Sequence, residues 1–265
     1  ILNKLSINFL PLKIIFEDEE FEDRIDISPD EVYQRFDEEI PSTSMPGLDE
    51  FKSKFLELKE NGFTHIITIL ISSGLSSTYN IARMACEDIE GVMIEVIDSK
   101  RLSMGLGRLV LYAKELIDNS NISFSEIVEK VKDKMDNIDL FFIVETLNYL
   151  IEGGRIGKVK GTLGKLFNIK PIISINEDGK YYSFSKARSR KKSINKMYNI
   201  AKEKIKEGFC TVDVMHADAK EEARELLNRL SKLDNVKKTF FGEISPAMAV
   251  HAGPGLIGVC VCKDD

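Results

Sequence analysis

The sequence predicts an α/β fold in two parts, a parallel-sheet α/β first domain followed by an α+β second domain with a mixed or antiparallel sheet. Three observations carry this. Apolar, β-branched runs at 64–71, 92–97 and 140–144 have the pattern of strands covered on both faces. Stretches of helical period separate them, so successive strands run parallel through right-handed crossovers. From residue 168 the order changes: runs at 168–175 and 180–184 flank Asn176-Glu177-Asp178-Gly179, which reads as a hairpin rather than a crossover.

The elements follow in order. Ser28-Pro29-Asp30-Glu31 supplies an N-cap, a proline at the first helical position and a glutamate three residues after the cap, with Val32 and Phe36 next on one face. Phe51, Phe55 and Leu58 form the second stripe. After the strand at 64–71, Tyr79, Ala82, Arg83 and Cys86 recur at helical spacing, and after the strand at 92–97, Leu109, Ala113, Leu116 and Ile117 do the same. Ser123 with Glu126 opens a helix whose inward residues are Ile127, Val131 and Met135. Beyond the hairpin, the basic run Lys186, Arg188, Arg190, Lys191, Lys192 leads into a helix with Ile194, Met197, Ala201 and Ile205 inward. A strand at 211–216, a helix marked by Ala219, Ala223, Leu226, Leu230 and Leu233, and strands at 238–243 and 258–262 complete the chain. The glycine-dense segment from Gly153 to Gly164 places the division between 145 and 165, giving domains 1–150 and 151–265. The chain opens on Ile, so a native amino terminus is expected upstream.

Charge and composition narrow the functional classes. The 37 Lys and Arg against 43 Asp and Glu leave a net charge of -6, which disfavours nucleic acid as a partner. The longest apolar run, 66–71, is too short to span a bilayer, so no stable membrane insertion is expected. Four cysteines at 86, 210, 260 and 262 fit a reducing, cytoplasmic protein, and no secretory signal is visible. With three histidines and no Cys or His at ligand spacing, no metal is expected.

Several loops carry chemistry. Residues 72–79 (Ser-Ser-Gly-Leu-Ser-Ser-Thr-Tyr) follow a buried strand and lead into a helix, where first-turn N–H groups and hydroxyls suit a carboxylate or phosphate. Residues 41–47, with Ser42, Thr43 and Ser44 between prolines, add hydroxyls but serve equally as a turn. Asp98-Ser99 ends another strand, and Asp98 is expected to hold the loops by accepting N–H bonds. The later Gly105 and Gly107 lack the dinucleotide fingerprint, so a nicotinamide cofactor is not supported. Arg155 and Lys158 stand in a glycine-rich setting where arginine can present paired donors to an anion. His251 precedes Gly253-Pro254-Gly255, whereas His216 is expected to cap the following helix. A serine hydrolase using Ser73 or Ser76 with His251 is the alternative enzyme reading. It is weakened by the missing Gly-x-Ser-x-Gly elbow and the lack of an acid to orient the histidine.

Together these motifs resemble the DegV proteins, bacterial fatty-acid-binding proteins of which some are the binding subunit of a fatty acid kinase. The resemblance runs through Pro11-Leu12-Lys13, the 26–29 cap, Thr43-Ser44, residues 71–79, Ile97-Asp98-Ser99, Gly105 and Gly107, Gly154-Arg155-Ile156, Asn168-Ile169-Lys170-Pro171 and His251 with Gly253-Pro254-Gly255. It implies a long-chain fatty acid as ligand, no cofactor, and a tunnel between the domains. Thr43 matches the binding threonine, with Ser44 beside it, and the binding serine falls in 73–76, within Ser73, Gly74 and Ser76. Arg155 and His251 match residues that face the head group or its phosphate. Asp98, Ser99, Gly253 and Gly255 are expected to support them, the glycines by letting the backbone approach. The implied partner is a separate ATP-dependent fatty acid kinase, the protein itself not being an enzyme and the acyl phosphate passing towards phospholipid synthesis. The run 186–192 is a candidate docking patch for it. A lipid-sensing regulatory binding protein is a further alternative. Departures from the family pattern are Met45 for a glutamine, Ser77 for a glycine, Ala247-Met248-Ala249-Val250 before the histidine, and an absent opening strand with its Asp-Ser pair.

Overall fold

Helix starts in this chain follow the side chains able to satisfy free N–H groups. The computed structural model describes residues 3–119, 121–162 and 169–264, so Gly164 and Asn168 of the motifs above lie outside the described residues. A 3-10 turn at Asn3–Leu5 leads to β1 (Lys13–Phe16), β2 (Glu19–Glu22), α1 (Pro29–Arg35), β3 (Ser42–Ser44), α2 (Leu48–Glu60), β4 (His65–Leu70), α3 (Thr78–Cys86), β5 (Met93–Asp98), α4 (Ser103–Asn119), α5 (Phe124–Lys134) and β6 (Ile138–Ile143). Then come α6 (Asn148–Glu152), a 3-10 stretch at Gly157–Thr162, β7 (Lys170–Ile175), β8 (Tyr181–Ala187), α7 (Arg190–Ile205), β9 (Cys210–His216), α8 (Lys220–Leu230), β10 (Val236–Glu243), α9 (Pro246–Ala252) and β11 (Ile257–Lys263). Ser28 and Ser123 form full capping boxes with Glu31 and Glu126, each serine accepting from the N–H three residues on.

The parallel pair β4 and β5 is covered on one face by α2 and α3, through Phe51, Phe55, Ala82 and Ala85, and on the other by α4 and α5, through Ala113, Ile127 and Val131. A six-stranded mixed sheet, ordered β10-β9-β11-β6-β7-β8, forms the rest, with α7 and α8 under one face. The expected hairpin is β7 and β8.

Four features differ from the sequence reading. The antiparallel sheet β2-β1-β3 was not expected, because its strands are three or four residues long and rich in Lys, Glu and Ser, too short to show a period of two. β6 forms where predicted but runs antiparallel between β11 and β7 in the larger sheet. Its Leu140 and Phe142 face one apolar cluster while Phe141 and Ile143 face the other. A continuous apolar run reports burial on both faces, not strand direction. The short helix α9 also went unread. It is capped by the Ser245 hydroxyl, and Asp23, from the loop after β2, accepts the Ala247 N–H at 3.2 Å. Burial raises the Asp23 carboxyl above its ordinary value. Finally, His216 caps nothing. It lies buried at the end of β9 with Nδ1 3.8 Å from Glu243, while Ala219 occupies the N-cap of α8.

The six-stranded sheet turns its other face toward the first half of the chain. One bond across this boundary is ionic: fully buried Asp213 of β9 receives Arg108 of α4 through Nε at 2.8 Å and also through Nη2. A carboxylate there is tolerated because a two-pronged guanidinium meets it.

Candidate functional site

Between the sheet face and the first half lies a cavity of about 390 Å³. That is within the range of sites for small organic ligands. Alternation along the strands builds its floor: Leu140 and Phe142 of β6, Met215 of β9, and Gly258 and Cys260 of β11 all project to the same face. Ile71, Leu75, Leu102 and Met104 close it from the opposite side, and Ala247, Met248 and Ala252 of α9 from a third. The wall is apolar except for Thr43, Ser44, Ser76, Ser77, Ser103, Arg155, Tyr181 and His251.

Four of these polar residues gather at one place. The Thr43 hydroxyl, at the centre of β3, lies 2.7 Å from His251 Nε2 on α9. β3 holds Thr43 by pairing with β1, Ile14 opposite Thr43. The other ring nitrogen of His251 is buried without a hydrogen-bond partner among the described residues and lies against Gly153, where an added Cβ would stand only 2.2 Å away. Burial first, and the nearby Arg155 charge second, push the His251 pKa down to about 4. The imidazole is therefore neutral at physiological pH. Arg155 donates from Nη1 to the Gly153 carbonyl at 2.6 Å and from Nε to the Leu75 carbonyl at 3.4 Å. Ser76, next to Leu75, shares a hydrogen bond of 2.7 Å with the Thr78 hydroxyl.

The structure thus brings Thr43, Ser44, Ser76, Arg155 and His251 to the cavity wall. It places the others elsewhere. Ser73 donates its hydroxyl to Asp98 Oδ2 at 2.5 Å and its N–H to Oδ1 at 3.0 Å, so this serine is committed to holding the loop and is absent from the wall. Asp98 accepts these bonds and the Lys100 N–H, the loop-holding part expected of it. Ser99 is fully buried and bonds Arg101 main-chain atoms. Gly74 packs on the hairpin turn, where a Cβ would stand 2.6 Å from the Gly179 carbonyl oxygen, and it borders a smaller recess beside Arg155 and Lys180. Gly253 and Gly255 have φ of +67° and +87°, but the close approach they permit is to the Tyr149 ring and to Glu145, not to the cavity. Arg155, expected to present paired donors, has two of them on main-chain carbonyls. In the basic run, Arg190 is engaged by Glu145, Glu222 and the Gly255 carbonyl. Three of the departures from the family pattern, Met45, Ser77 and the Ala247-Met248 pair, fall on the cavity wall.

Sequence reasoning missed the wall residues Met104, Tyr181 and Met215 and the backing residue Gly153. Apolar wall residues carry no signal that separates them from core; Gly153 carried one, as a glycine at a helix end. Among the described residues no group of three or more His, Cys, Asp or Glu is placed to hold a metal ion, and no helix is long and apolar enough to cross a membrane.

A family model described as "Uncharacterised protein, DegV family" matches residues 1–264. A DegV domain-containing protein of Clostridium acetobutylicum is 43% identical over 260 residues, covering 98% of this chain and 92% of the relative. Among solved structures, the fold is similar to DegV, a fatty acid binding protein from Bacillus subtilis, at a TM-score of 0.91 and 27% identity, covering 99% of this chain and 94% of that one. It is similar as well to a stearic acid-binding protein from Eubacterium ventriosum, at a TM-score of 0.86 and 30% identity, covering 99% and 93%.

Proposed function

The chain belongs to the DegV family, and on that premise we propose that it binds one long-chain fatty acid, the tail in the cavity and the carboxylate among Thr43, Ser44, Ser76, Arg155 and His251. The observation that carries this reading is the make-up of the cavity, an apolar space of about 390 Å³ with hydroxyls, an arginine and a neutral histidine gathered on its wall. Each tail methylene removed from water contributes about 0.8 kcal/mol. The fatty-acid-binding relatives from Bacillus subtilis and Eubacterium ventriosum support the same ligand class.

The head-group chemistry follows from what a carboxylate can do. It only accepts hydrogen bonds, so each group facing it must donate. With Nε2–H of His251 donating to the Thr43 oxygen, the Thr43 hydroxyl proton is free to turn to the ligand. His251 then acts on the carboxylate through Thr43, and Ser76 supplies a second hydroxyl. Arg155 provides the positive charge nearby while its carbonyl bonds hold it in place. Ser73 is left out of the contact set because its hydroxyl belongs to Asp98. The geometry disfavours a serine hydrolase: His251 pairs with a threonine, and its other nitrogen has no acid to orient it among the described residues.

Organic extraction of the purified protein followed by mass spectrometry tests the reading. A near-stoichiometric fatty acid is expected; an empty protein that also takes up no labelled acyl chain would sink it. The finer step, presentation of the carboxylate to a separate ATP-dependent kinase, rests on the family resemblance and on Arg155. Phosphoryl transfer adds negative charge beside the carboxylate, which positioned cations stabilise. Arg155→Ala should keep fatty acid occupancy, since tail burial dominates it, and lower acyl phosphate formation by about tenfold, or about 1.4 kcal/mol. Lost lipid with a normal transfer rate on what remains would reverse that assignment.

A further inference from the structure

Four of the eight methionines in this chain line one cavity. They come from four separate elements: Met45 just after β3, Met104 in the first turn of α4, Met215 on β9 and Met248 on α9. They face the space from several sides. Met104, Met215 and Met248 are partly buried at the edge of the large apolar cluster rather than locked within it. Two of the thioether ends also rest on glycine. A Cβ added to Gly107 would stand 3.3 Å from Met104 Sδ, and one added to Gly242 would stand 2.9 Å from the Phe240 ring and 3.2 Å from Met215 Cε. No side chain at those two positions pins the sulfur or the methyl group.

Methionine is unbranched, with three rotatable bonds and a polarizable sulfur, so it refills irregular space at small cost. The sheet floor of the cavity is of the opposite kind. Leu140 and Phe142 stand on a central strand of the six-stranded sheet, paired on both sides, and are buried below a tenth of their surface. A straight acyl chain and one bent by a cis double bond fill different outlines. A wall of fixed shape therefore favours one of them, a single misplaced methylene being worth about 10- to 200-fold. Resting on the fatty-acid reading above, we infer that Met104, Met215 and Met248 make the cavity tolerant of chain shape, so that straight and bent chains of equal length bind alike.

The test compares stearic and oleic acid, titrated by displacement of a fluorescent acyl probe from lipid-free protein. Wild-type protein is expected to bind the two within about threefold. The triple variant Met104→Leu, Met215→Leu, Met248→Leu conserves side-chain volume and removes rotatable bonds. It should separate the acids by about tenfold or more, in either direction. Near-equal binding by a folded triple variant overturns the inference. So does a tenfold separation already present in the wild type, which leaves the fatty-acid reading standing. Binding of neither acid to the wild type overturns that reading and this inference with it. Should the triple variant fail to fold, Met215→Leu and Met248→Leu are read singly: a preference appearing in either supports the assignment, and its absence from both rejects it.

Discussion

At the scale of single residues, His251 shows how position decides chemistry. The ring is neutral because burial and Arg155 both oppose its charge, lowering its pKa to about 4. An unfolded histidine titrates near 6.5. Between those values the unfolded chain takes up a proton that the folded chain refuses, so stability is whole above about pH 6.5 and falls as the pH drops toward about 4. At pH 5 the loss from this one group is about 2 kcal/mol. His216, also lowered by burial, pulls in the same direction, whereas Asp23 and Asp213, raised by burial, pull the other way. Only a difference isolates His251. In urea unfolding at pH 7 and pH 5, His251→Gln is expected to lose about 2 kcal/mol less on acidification than the wild type; equal losses would refute the assignment. The sequence made His251 and Thr43 visible as candidates through flanking glycines and prolines. It did not reveal that they bond each other, because 208 positions separate them and no local pattern encodes the pairing.

At the scale of elements, α6 and α9 meet through a glycine. Gly153 caps α6 with φ of -71°, a conformation any residue adopts, so alanine would suffer no backbone strain there. The obstacle is the His251 ring, since the new methyl would stand 2.2 Å from Nδ1. Gly153→Ala is therefore expected to push the ring off Thr43 and cost about 1–3 kcal/mol in stability. Fatty acid affinity should fall with it, checked by thermal unfolding and acyl titration of the same sample; unchanged affinity would mean the ring moves freely. Helices that open on Ser28 and Ser123 were legible because a capping box is a local signal. β1, β2 and β3 were not, since strands so short gain their order from one another and from Ile14 and Phe16 sinking into the core. The direction of β6 was also hidden, as a strand buried on both faces reads alike in either sense.

For the whole molecule, the cavity itself left no trace in the sequence. Leu102, Leu140, Phe142, Leu150 and Leu256 read as core and are core, packed in the cluster that also encloses the space. What the sequence does carry is the polar end, because its hydroxyls cluster in the loops at 41–47 and 72–79 and its arginine stands in a glycine-rich segment. A ligand seated there touches both halves of the chain, the face of the six-stranded sheet and the loops around β3 and β4. Occupancy must therefore stabilise the fold as a unit. A ligand at a hundred times its dissociation constant adds about 2.7 kcal/mol. For this chain of 265 residues each kcal/mol moves the midpoint by about 2–4 °C, so lipid-free protein should melt about 5–10 °C below the loaded form. Adding back the fatty acid should restore the difference. The methyl ester of the same acid keeps the tail but cannot accept as strongly from Thr43 and Ser76. It is expected to restore only part of the shift. Full restoration by the ester would show that the tail alone drives binding and that the polar cluster around His251 does not read the carboxylate; no shift with either would remove the cavity as the binding site.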